Sequence, residues 1–211
     1  MFAQIASGIG LTLLVTALSL LFGAIIGIPL VAGRRSPRPL LRGLSAVYVN
    51  IVRSVPPITW LFLIYFGLPQ FALRLSTFAA AVLGFSIISS AYLAEAYRAG
   101  LLSIPRGQWE AATALGISFV DRTRYIITPQ AFRVFLPIIA AFTIGLLKDS
   151  ALASTIGVHE ITYQANLAAK TSHNGLLAFT IAGLLYIAIS LPLALVTRRV
   201  DRSLRAKIEV A

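Results

Sequence analysis

Five apolar segments, each long enough to cross a lipid bilayer, constrain the fold of this chain more than any other feature. They run over residues 8–33, 44–68, 76–94, 134–158 and 175–197. A helix rises about 1.5 Å per residue, so each segment can cross the roughly 30 Å hydrocarbon core of a bilayer. We therefore expect an all-α, polytopic membrane protein with five transmembrane helices, in a single domain over residues 1–211.

The overall composition agrees with a membrane protein. Of the 211 residues, 58% are hydrophobic and 12% are charged, and the mean hydropathy is +0.86. A formal net charge of +11 could suggest a nucleic-acid partner, but the basic residues flank the apolar segments, so we expect no nucleic acid. Residues 1–33 carry no charge. The first segment therefore lacks the basic region of a signal peptide and should remain in the membrane.

The basic residues predict which side of the membrane each loop faces. Fifteen of the eighteen fall into groups that five spans would place on one side. These are Arg34, Arg35, Arg38, Arg42 and Arg53; Arg98, Arg106, Arg122, Arg124 and Arg133; and Arg198, Arg199, Arg202, Arg205 and Lys207. The opposite side has only Arg74 and Lys170. The positive-inside rule then places the amino terminus outside and the carboxyl terminus in the cytoplasm.

Local patterns predict details within the segments and loops. Small residues recur every four positions in the first segment, at Ser19, Gly23 and Gly27. Such a stripe either lets another helix approach closely or leaves glycines facing lipid. Pro56 and Pro57 should break the helix of the second segment, with Arg53 snorkelling to the interface. Residues 160–174 form the one sizeable outer loop, in which a short surface helix is possible.

One long polar, charged run, residues 95–137, lies between two membrane-length segments. Pro105 suits the first turn of a helix, and Gly116 should end that helix. Ser118, with an acid three residues later, is typical of a new helix start, and Pro129 should not continue the backbone hydrogen bonding of that second helix. These signals predict a cytoplasmic helix-turn-helix. From the local pattern alone, an ordinary amphipathic surface loop fits equally well.

The polar run resembles the EAA loop of the membrane subunits of bacterial ABC importers. The residues at the motif positions are Glu110, Ala111, Ala112, Gly116, Ile126, Thr128 and Pro129. Only Thr128 departs, since the family usually has leucine there. The flanking sequences SAYLAEAYRAGLLSIPRGQWEAA, IVRSVPPITWLFLIYFGLP and LLKDSALASTIGV are similar to the polar amino acid branch, the histidine, glutamine and arginine type permeases. The resemblance covers the chain from about Gly8 to Arg202.

This resemblance implies a function. The chain would have the type I importer permease fold, lie in a bacterial inner membrane, and form half of a translocation pore for polar amino acids. Its partners would be a second permease subunit, two cytoplasmic ATPases and an extracytoplasmic solute-binding protein. The coupling loop, about residues 98–133, would dock on an ATPase through Glu110, Ala111, Ala112, Gly116 and Pro129. ATP and Mg would be bound by the partner ATPase, and we expect no cofactor on this chain.

Sequence motifs for chemistry agree with a chain that is not an enzyme. The sequence has no GxxxxGK[ST] nucleotide loop, no HExxH, no GxSxG and no cysteine. Alternatives remain open: a secondary transporter, an ABC permease for a different small solute, or a membrane enzyme or assembly factor. The secondary transporter and the membrane enzyme would both have to rely on the few charges within the apolar segments, Lys148 and Asp149, with Glu95 as a possible third.

Lys148 and Asp149 lie about fifteen residues, or roughly 22 Å, into the fourth segment. A charge near the membrane centre costs ~2.5–3.5 kcal/mol on insertion scales, so such residues usually face a cavity or a partner. We expect both to line the substrate path, with Lys148 binding a carboxylate and Asp149 an amino group. Lys148 could instead snorkel outward, and Asp149 could bond a structural partner. Three hydroxyls, Ser86, Ser89 and Ser90, could add to the path or simply pack.

One departure from the resembled family bears on assembly. Its members often have Gly-Asn-Gln-Phe or Gly-Asn-Glu-Phe before the Lys-Asp pair. In this chain the same positions are Ala140, Ala141, Phe142 and Thr143. The polar groups are replaced by largely apolar ones. We therefore favour pairing with a paralogue over pairing with a second copy, with substrate held mainly by the other chain.

Overall fold

The computed structural model describes the backbone of residues 1–206 and the side chains of residues 1–199. Within this part the α-helices are α1 (Phe2–Ala6), α2 (Ile9–Arg34), α3 (Pro39–Ser54), α4 (Pro57–Phe62), α5 (Thr77–Leu102), α6 (Arg106–Ala114), α7 (Phe119–Asp121), α8 (Thr128–Asp149), α9 (Ile161–Ser172) and α10 (Gly175–Ala206). The side chains of Arg202, Arg205 and Lys207 in the predicted basic tail lie outside the described residues.

Four helical stretches are long and apolar enough to cross a membrane. They are Phe2–Arg34, Thr77–Leu102, Phe119–Ile156 and Gly175–Arg199. A bent pair, Pro39–Ser54 and Pro57–Phe71, passes the same test when its two helices are taken together, and it counts as a fifth span on that basis; the two axes differ by 104°. Val55 between them is extended, as a residue before proline prefers. The all-α fold with five spans is confirmed, and so is the break at Pro56 and Pro57.

The third span, α5, is the central helix of the protein. In the most apolar stretch of α5, 67% of the residues are buried inside the protein. The corresponding share for the most apolar stretch of α10 is 11%. Its buried face is made mostly of alanine, serine and glycine, which allow neighbouring backbones to come near. The Ser76 Oγ caps its first turn by accepting the Ala79 N–H at 3.2 Å. The other spans are therefore arranged around a helix with little room for larger side chains.

The small-residue stripe of α2 packs against this central helix. The Ser19 Oγ donates to the Val82 carbonyl at 3.3 Å. A Cβ added to Gly23 would lie 2.3 Å from the Cβ of Ser89, closer than two carbon atoms can approach. The close-approach interpretation of the stripe is confirmed, and these glycines do not face lipid.

The fourth span begins earlier than the sequence predicted. Pro129 lies in the first turn of α8, directly after a π-helical turn over Arg122–Ile127 that continues from α7. A wider turn relieves the clash between a proline ring and the carbonyl four residues before it. The Gln130 Nε2 also donates to the Ile126 carbonyl at 2.8 Å. The prediction that Pro129 ends the second short helix is wrong, because α7 and α8 form one helix that leads into the membrane.

Candidate coupling loop and translocation path

The α6 helix divides the Glu-Ala-Ala residues between two faces. Glu110 and Ala111 are exposed, whereas Ala112 is 3% exposed and faces the rest of the chain. On the inward side, Trp109 packs against a small apolar cluster that contains Ile104 and Ile127. The helix therefore presents Glu110 and Ala111 to any partner and uses its other face to hold its own position.

Gly116 ends α6 in the left-handed conformation, with φ of +68°. The Ile117 N–H donates to the Ala112 carbonyl at 3.1 Å, and the Gly116 N–H donates to the Thr113 carbonyl at 3.0 Å. This is a Schellman motif, in which glycine is favoured because it has no Cβ. An added Cβ would meet nothing within 4 Å, so the glycine is required by conformation and not by space.

Ser118 starts the next helix as its sequence pattern predicted. The Ser118 Oγ accepts the Asp121 N–H at 3.1 Å, and its hydroxyl donates to the Asp121 Oδ2 at 2.7 Å. Each residue thus satisfies a polar group of the other at the helix start. The predicted turn between two short helices is confirmed in residues 105–121.

Trp109 contacts arginines from two other elements, which the sequence did not predict. The guanidinium of Arg35, just after α2, lies 5.3 Å from the Trp109 ring centre, and that of Arg122 lies 5.5 Å from it. The Arg122 Nη1 also donates to the Thr113 Oγ1 at 2.5 Å. Arg35 and Trp109 are too far apart in the chain for any local pattern to relate them. A tryptophan in a basic polar run was the only available signal.

Glu95 joins α5 to α2 at the same end of the bundle. Its carboxylate accepts the Arg98 Nε at 2.9 Å and the Arg34 Nη2 at 3.4 Å. Arg98 also forms an ion pair with it through Nη2. Both oxygens are therefore occupied by cations from the chain itself. A secondary transporter that used Glu95 to bind a coupling ion would have to break these pairs.

Lys148 and Asp149 are the last residues of α8, before a 3₁₀ segment over Ser150–Ile156. Both side chains are exposed in the single chain. Among the described side chains, neither forms an ion pair. The residues described also contain no cluster of three His, Cys, Asp or Glu side chains that could hold a metal ion. The charges are thus available to a ligand or a partner, as a path-lining role requires.

The three serines of α5 lie elsewhere, inside helix contacts. The Ser86 Oγ donates to the Val82 carbonyl at 2.6 Å, and the Ser90 Oγ donates to the Ile87 carbonyl at 2.7 Å. The Tyr48 and Ser90 hydroxyls are 2.8 Å apart. The Ser89 Oγ is buried without a hydrogen-bond partner in the described residues. Such contacts are typical of packing serines, and the path-lining role of the three stays a prediction.

Phe142, one of the apolar replacements, packs within the subunit. Its ring stacks on Tyr92 of α5 with centres 4.9 Å apart and planes 19° apart. The Arg53 guanidinium lies 5.0 Å from the centre of the same Tyr92 ring. A large apolar side chain therefore occupies a position where the resembled family often has an amide or a carboxylate.

Glu160 is a buried acid that sequence reasoning missed. It is fully buried before α9, where its Oε1 accepts the Tyr163 N–H at 2.7 Å and its Oε2 accepts the Tyr186 hydroxyl at 2.6 Å. Burial raises the pKa of this carboxyl, and the hydrogen bond from Tyr186 opposes that rise. An acid just before a helical pattern was the available signal. Glu160 caps the start of α9, and the short helix predicted within residues 160–174 is present.

Comparisons with known proteins agree on one family. Residues 19–206 match the model of the binding-protein-dependent transport system inner membrane component. A probable amino-acid ABC transporter permease of Bacillus subtilis (strain 168), YckA, is 37% identical over 188 residues, covering 89% of this chain and 83% of that protein. The arginine transport system permease ArtQ of the same organism is 35% identical over 204 residues, covering 96% and 93%.

A solved structure supports the same assignment at the level of the fold. A crystal structure of an amino acid ABC transporter with histidines superposes with a TM-score of 0.89 at 31% identity, covering 95% of this chain and 94% of that chain. The family match extends over most of the sequence, and the fold and the coupling loop agree with it. The chain therefore belongs to the inner membrane components of binding-protein-dependent transport systems, the permease subunits of ABC importers.

Proposed function

We propose that this chain imports amino acids, as one half of an ATP-driven translocation pore. The observation that carries the proposal is the exposed Glu110 and Ala111 face of α6, held on a helix that leads through Gly116 into the fourth span. A partner ATPase that grips this face would move the helices around the pore as a rigid body. ATP and Mg would be bound by that partner, and hydrolysis would occur there.

The proposed orientation follows from charge. The coupling loop and the basic loop after α2 would face the cytoplasm, with the amino terminus outside, because basic loops stay inside. The outer loop with α9 would then face an extracytoplasmic solute-binding protein. Amino acids are favoured as the substrate class because of the names of two relatives that each align with more than 80% of the chain. One is named as a probable amino-acid permease and the other as an arginine permease.

The proposed path passes Lys148 and Asp149. Both charges are exposed at the end of α8 without an ion-pair partner among the described side chains. A zwitterionic amino acid supplies the complementary groups, a carboxylate for Lys148 and an ammonium for Asp149. The test is uptake and ATPase activity in Lys148→Ala and Asp149→Asn complexes that assemble normally. We expect a fall in apparent substrate affinity or in transport rate, and unchanged affinity and rate in both would remove this part of the proposal.

We further propose an asymmetric pore formed with a paralogue. Phe142 is stacked on Tyr92 and offers no polar group to a solute. A partner permease with an amide or carboxylate at that position would then hold most of the substrate. A functional complex built from this chain alone, with two equivalent substrate sites, would contradict the asymmetry.

Reconstitution tests the function as a whole. The chain would be purified with the ATPase, second permease and solute-binding protein that associate with it in its source organism, and placed in proteoliposomes. Uptake of labelled L-arginine, L-glutamine and L-histidine would be measured with ATP and, separately, with an imposed ion gradient. We expect uptake only with ATP and the binding protein. Uptake driven by an ion gradient without the ATPase would instead support a secondary transporter.

A further inference from the structure

Two consecutive arginines at the cytoplasmic end of α2 bind different parts of the protein. Arg34 is the last residue of the helix and pairs with Glu95 of α5 at 3.4 Å. Arg35 follows it, and its guanidinium lies over the Trp109 ring of α6 at 5.3 Å. The Arg35 N–H still donates to the Val31 carbonyl at 3.1 Å, so Arg35 is fixed to the last turn of the helix. The end of one span thus contacts both the central helix and the coupling helix.

The ring of Trp109 is also contacted by Arg122, which follows α7. The Arg122 guanidinium lies 5.5 Å from the ring centre and binds Thr113, one turn further along α6. The Arg122 Nε is buried and has no hydrogen-bond partner in the described residues. Arg122 is thus held against α6 by two contacts, the Thr113 hydroxyl and the Trp109 ring.

We propose that Arg35, Trp109 and Arg122 form a brace that carries the movement of α6 directly to the first span. The inference rests on the proposed docking of α6 on an ATPase. Without the brace, α6 would be joined to the bundle mainly through the chain on either side of it and its small apolar cluster. With it, a displacement of α6 also moves Arg35 and the end of α2. Because α2 packs tightly on α5 at Gly23, the two spans then move as one body.

The brace is suited to positioning more than to stability. Contacts between a cation and an aromatic ring are weak at an exposed site, and Arg35 is exposed. Removing one should leave the fold and the outer face of α6 intact. The geometry of α6 relative to α2 is what would be lost. Arg35, Trp109 and Arg122 are therefore positioning residues, whose effect appears in the coupling of hydrolysis to transport.

The experiment compares Arg35→Ala with Arg38→Ala in the reconstituted complex. Arg38 lies in the same loop, is exposed, and makes no aromatic or ion-pair contact with a described side chain. The probe is whichever of L-arginine, L-glutamine and L-histidine the wild-type complex takes up fastest. For Arg35→Ala and Trp109→Leu we expect normal ATPase pull-down, and at least about a twofold fall in amino acid transported per ATP, as loss of one such contact predicts. Arg38→Ala and Trp109→Phe should keep the wild-type ratio.

A double variant separates the brace from two unrelated effects. If Arg35 acts through Trp109, Arg35→Ala combined with Trp109→Leu should lower the ratio no further than Trp109→Leu alone, which already removes the ring that Arg35 contacts. Wild-type ratios in both single variants, an equal fall in Arg38→Ala, or a fall explained by reduced ATPase pull-down would each overturn the brace. Failure of the proposed function has a different signature, since the wild-type complex itself would then show no ATP-dependent uptake.

Discussion

The contact between α2 and α5 and the contacts around the coupling loop differ in how they hold their helices. The first is made by backbones in close approach, where Gly23 leaves no room even for a methyl group beside Ser89. The second depends on the exposed side chain of Arg35 and a half-buried Trp109. Tight packing has few alternative arrangements, whereas contacts of long side chains can shift by small steps.

This difference suits a transporter subunit in which one region is rigid and another region contacts a moving partner. The α2 and α5 helices can move as one rigid unit, because separating them would open a void and lose the van der Waals contacts between them. The coupling loop turns sharply at Gly116 and presents an exposed face, so it can follow a partner. Substitutions in the contact between α2 and α5 should therefore prevent the subunit from folding. Substitutions in the coupling loop should leave the fold intact but abolish transport.

The largest expected effect comes from filling the α2 and α5 contact. In Gly23→Leu, the new side chain would collide with Ser89 and with the α5 backbone, 3.0 Å from the added Cβ. Overpacking of this kind costs about 1–3 kcal/mol and more where backbones must separate. We expect loss of a monodisperse subunit in detergent, measured by size exclusion and thermal unfolding. The matched control is Gly10→Leu in the same helix, where an added Cβ meets nothing within 4 Å. Equal stability of the two variants would contradict the packing argument.

The next largest effect is expected from a change in the coupling loop that leaves the contact between α2 and α5 unchanged. Gly116→Val forces a β-branched residue to φ of +68°, which costs on the order of 1–3 kcal/mol. We expect the protein to insert and fold, because the strain is confined to a loop with free space around it, while transport is abolished because α6 is misdirected. The control is Gly107→Val, near the start of α6, where the added Cβ has free space and φ is not positive. Wild-type transport by Gly116→Val would show that the left-handed turn is not needed for coupling.

A smaller effect is expected at the exposed face itself. Glu110→Lys reverses a charge that has no ion-pair partner among the described side chains. The fold should not change, but ATPase docking should weaken, which a pull-down in low and high salt can measure. Glu110→Gln separates charge reversal from simple loss of charge. Wild-type yields of ATPase with Glu110→Lys would place the docking surface elsewhere.

The packed region could be predicted from the sequence, because its signals are local and periodic. The paired prolines after Val55 have one dominant structural consequence, and the small residues four apart in α2 offered close helix packing as one of two interpretations. The turn at Gly116 was likewise predictable from its position after a run of helix formers. In these places the chain's own pattern decides the structure.

The rest depended on contacts between distant residues or on competing local effects. Pro129 usually ends a helix, yet a π-helical turn before it lets α7 continue into α8. The contact of Arg35 with Trp109 and the bond of Tyr186 to Glu160 join residues far apart in the chain. No periodicity encodes such pairs. Sequence reasoning therefore identified the coupling loop but missed what holds it in place.

The smallest expected effect lies at the start of α9, which Glu160 caps. Burial raises the pKa of its carboxyl above the ordinary value of 4.5. An acid whose pKa is higher in the folded protein binds its proton more tightly there than when unfolded. Its contribution to stability is therefore fully present below the unfolded pKa and is lost as the pH rises through the folded pKa. The unfolding temperature in detergent should thus fall as the pH is raised from about 4.5 through that higher value.

Glu160→Gln should remove this dependence, because a neutral amide keeps an oxygen to accept the Tyr163 N–H but cannot titrate. The variant should be slightly more stable than the wild type above the folded pKa, since a buried charge is no longer required there. Tyr186→Phe provides the opposite test. It deletes the hydroxyl that donates to Glu160 Oε2 at 2.6 Å, so the charged form loses a partner and the fall in stability with pH should become steeper. Unfolding curves at matched pH values for the three proteins decide the question. Parallel pH profiles in all three would mean that the Glu160 carboxyl does not titrate differently on folding, and that it holds α9 as a hydrogen-bond acceptor alone.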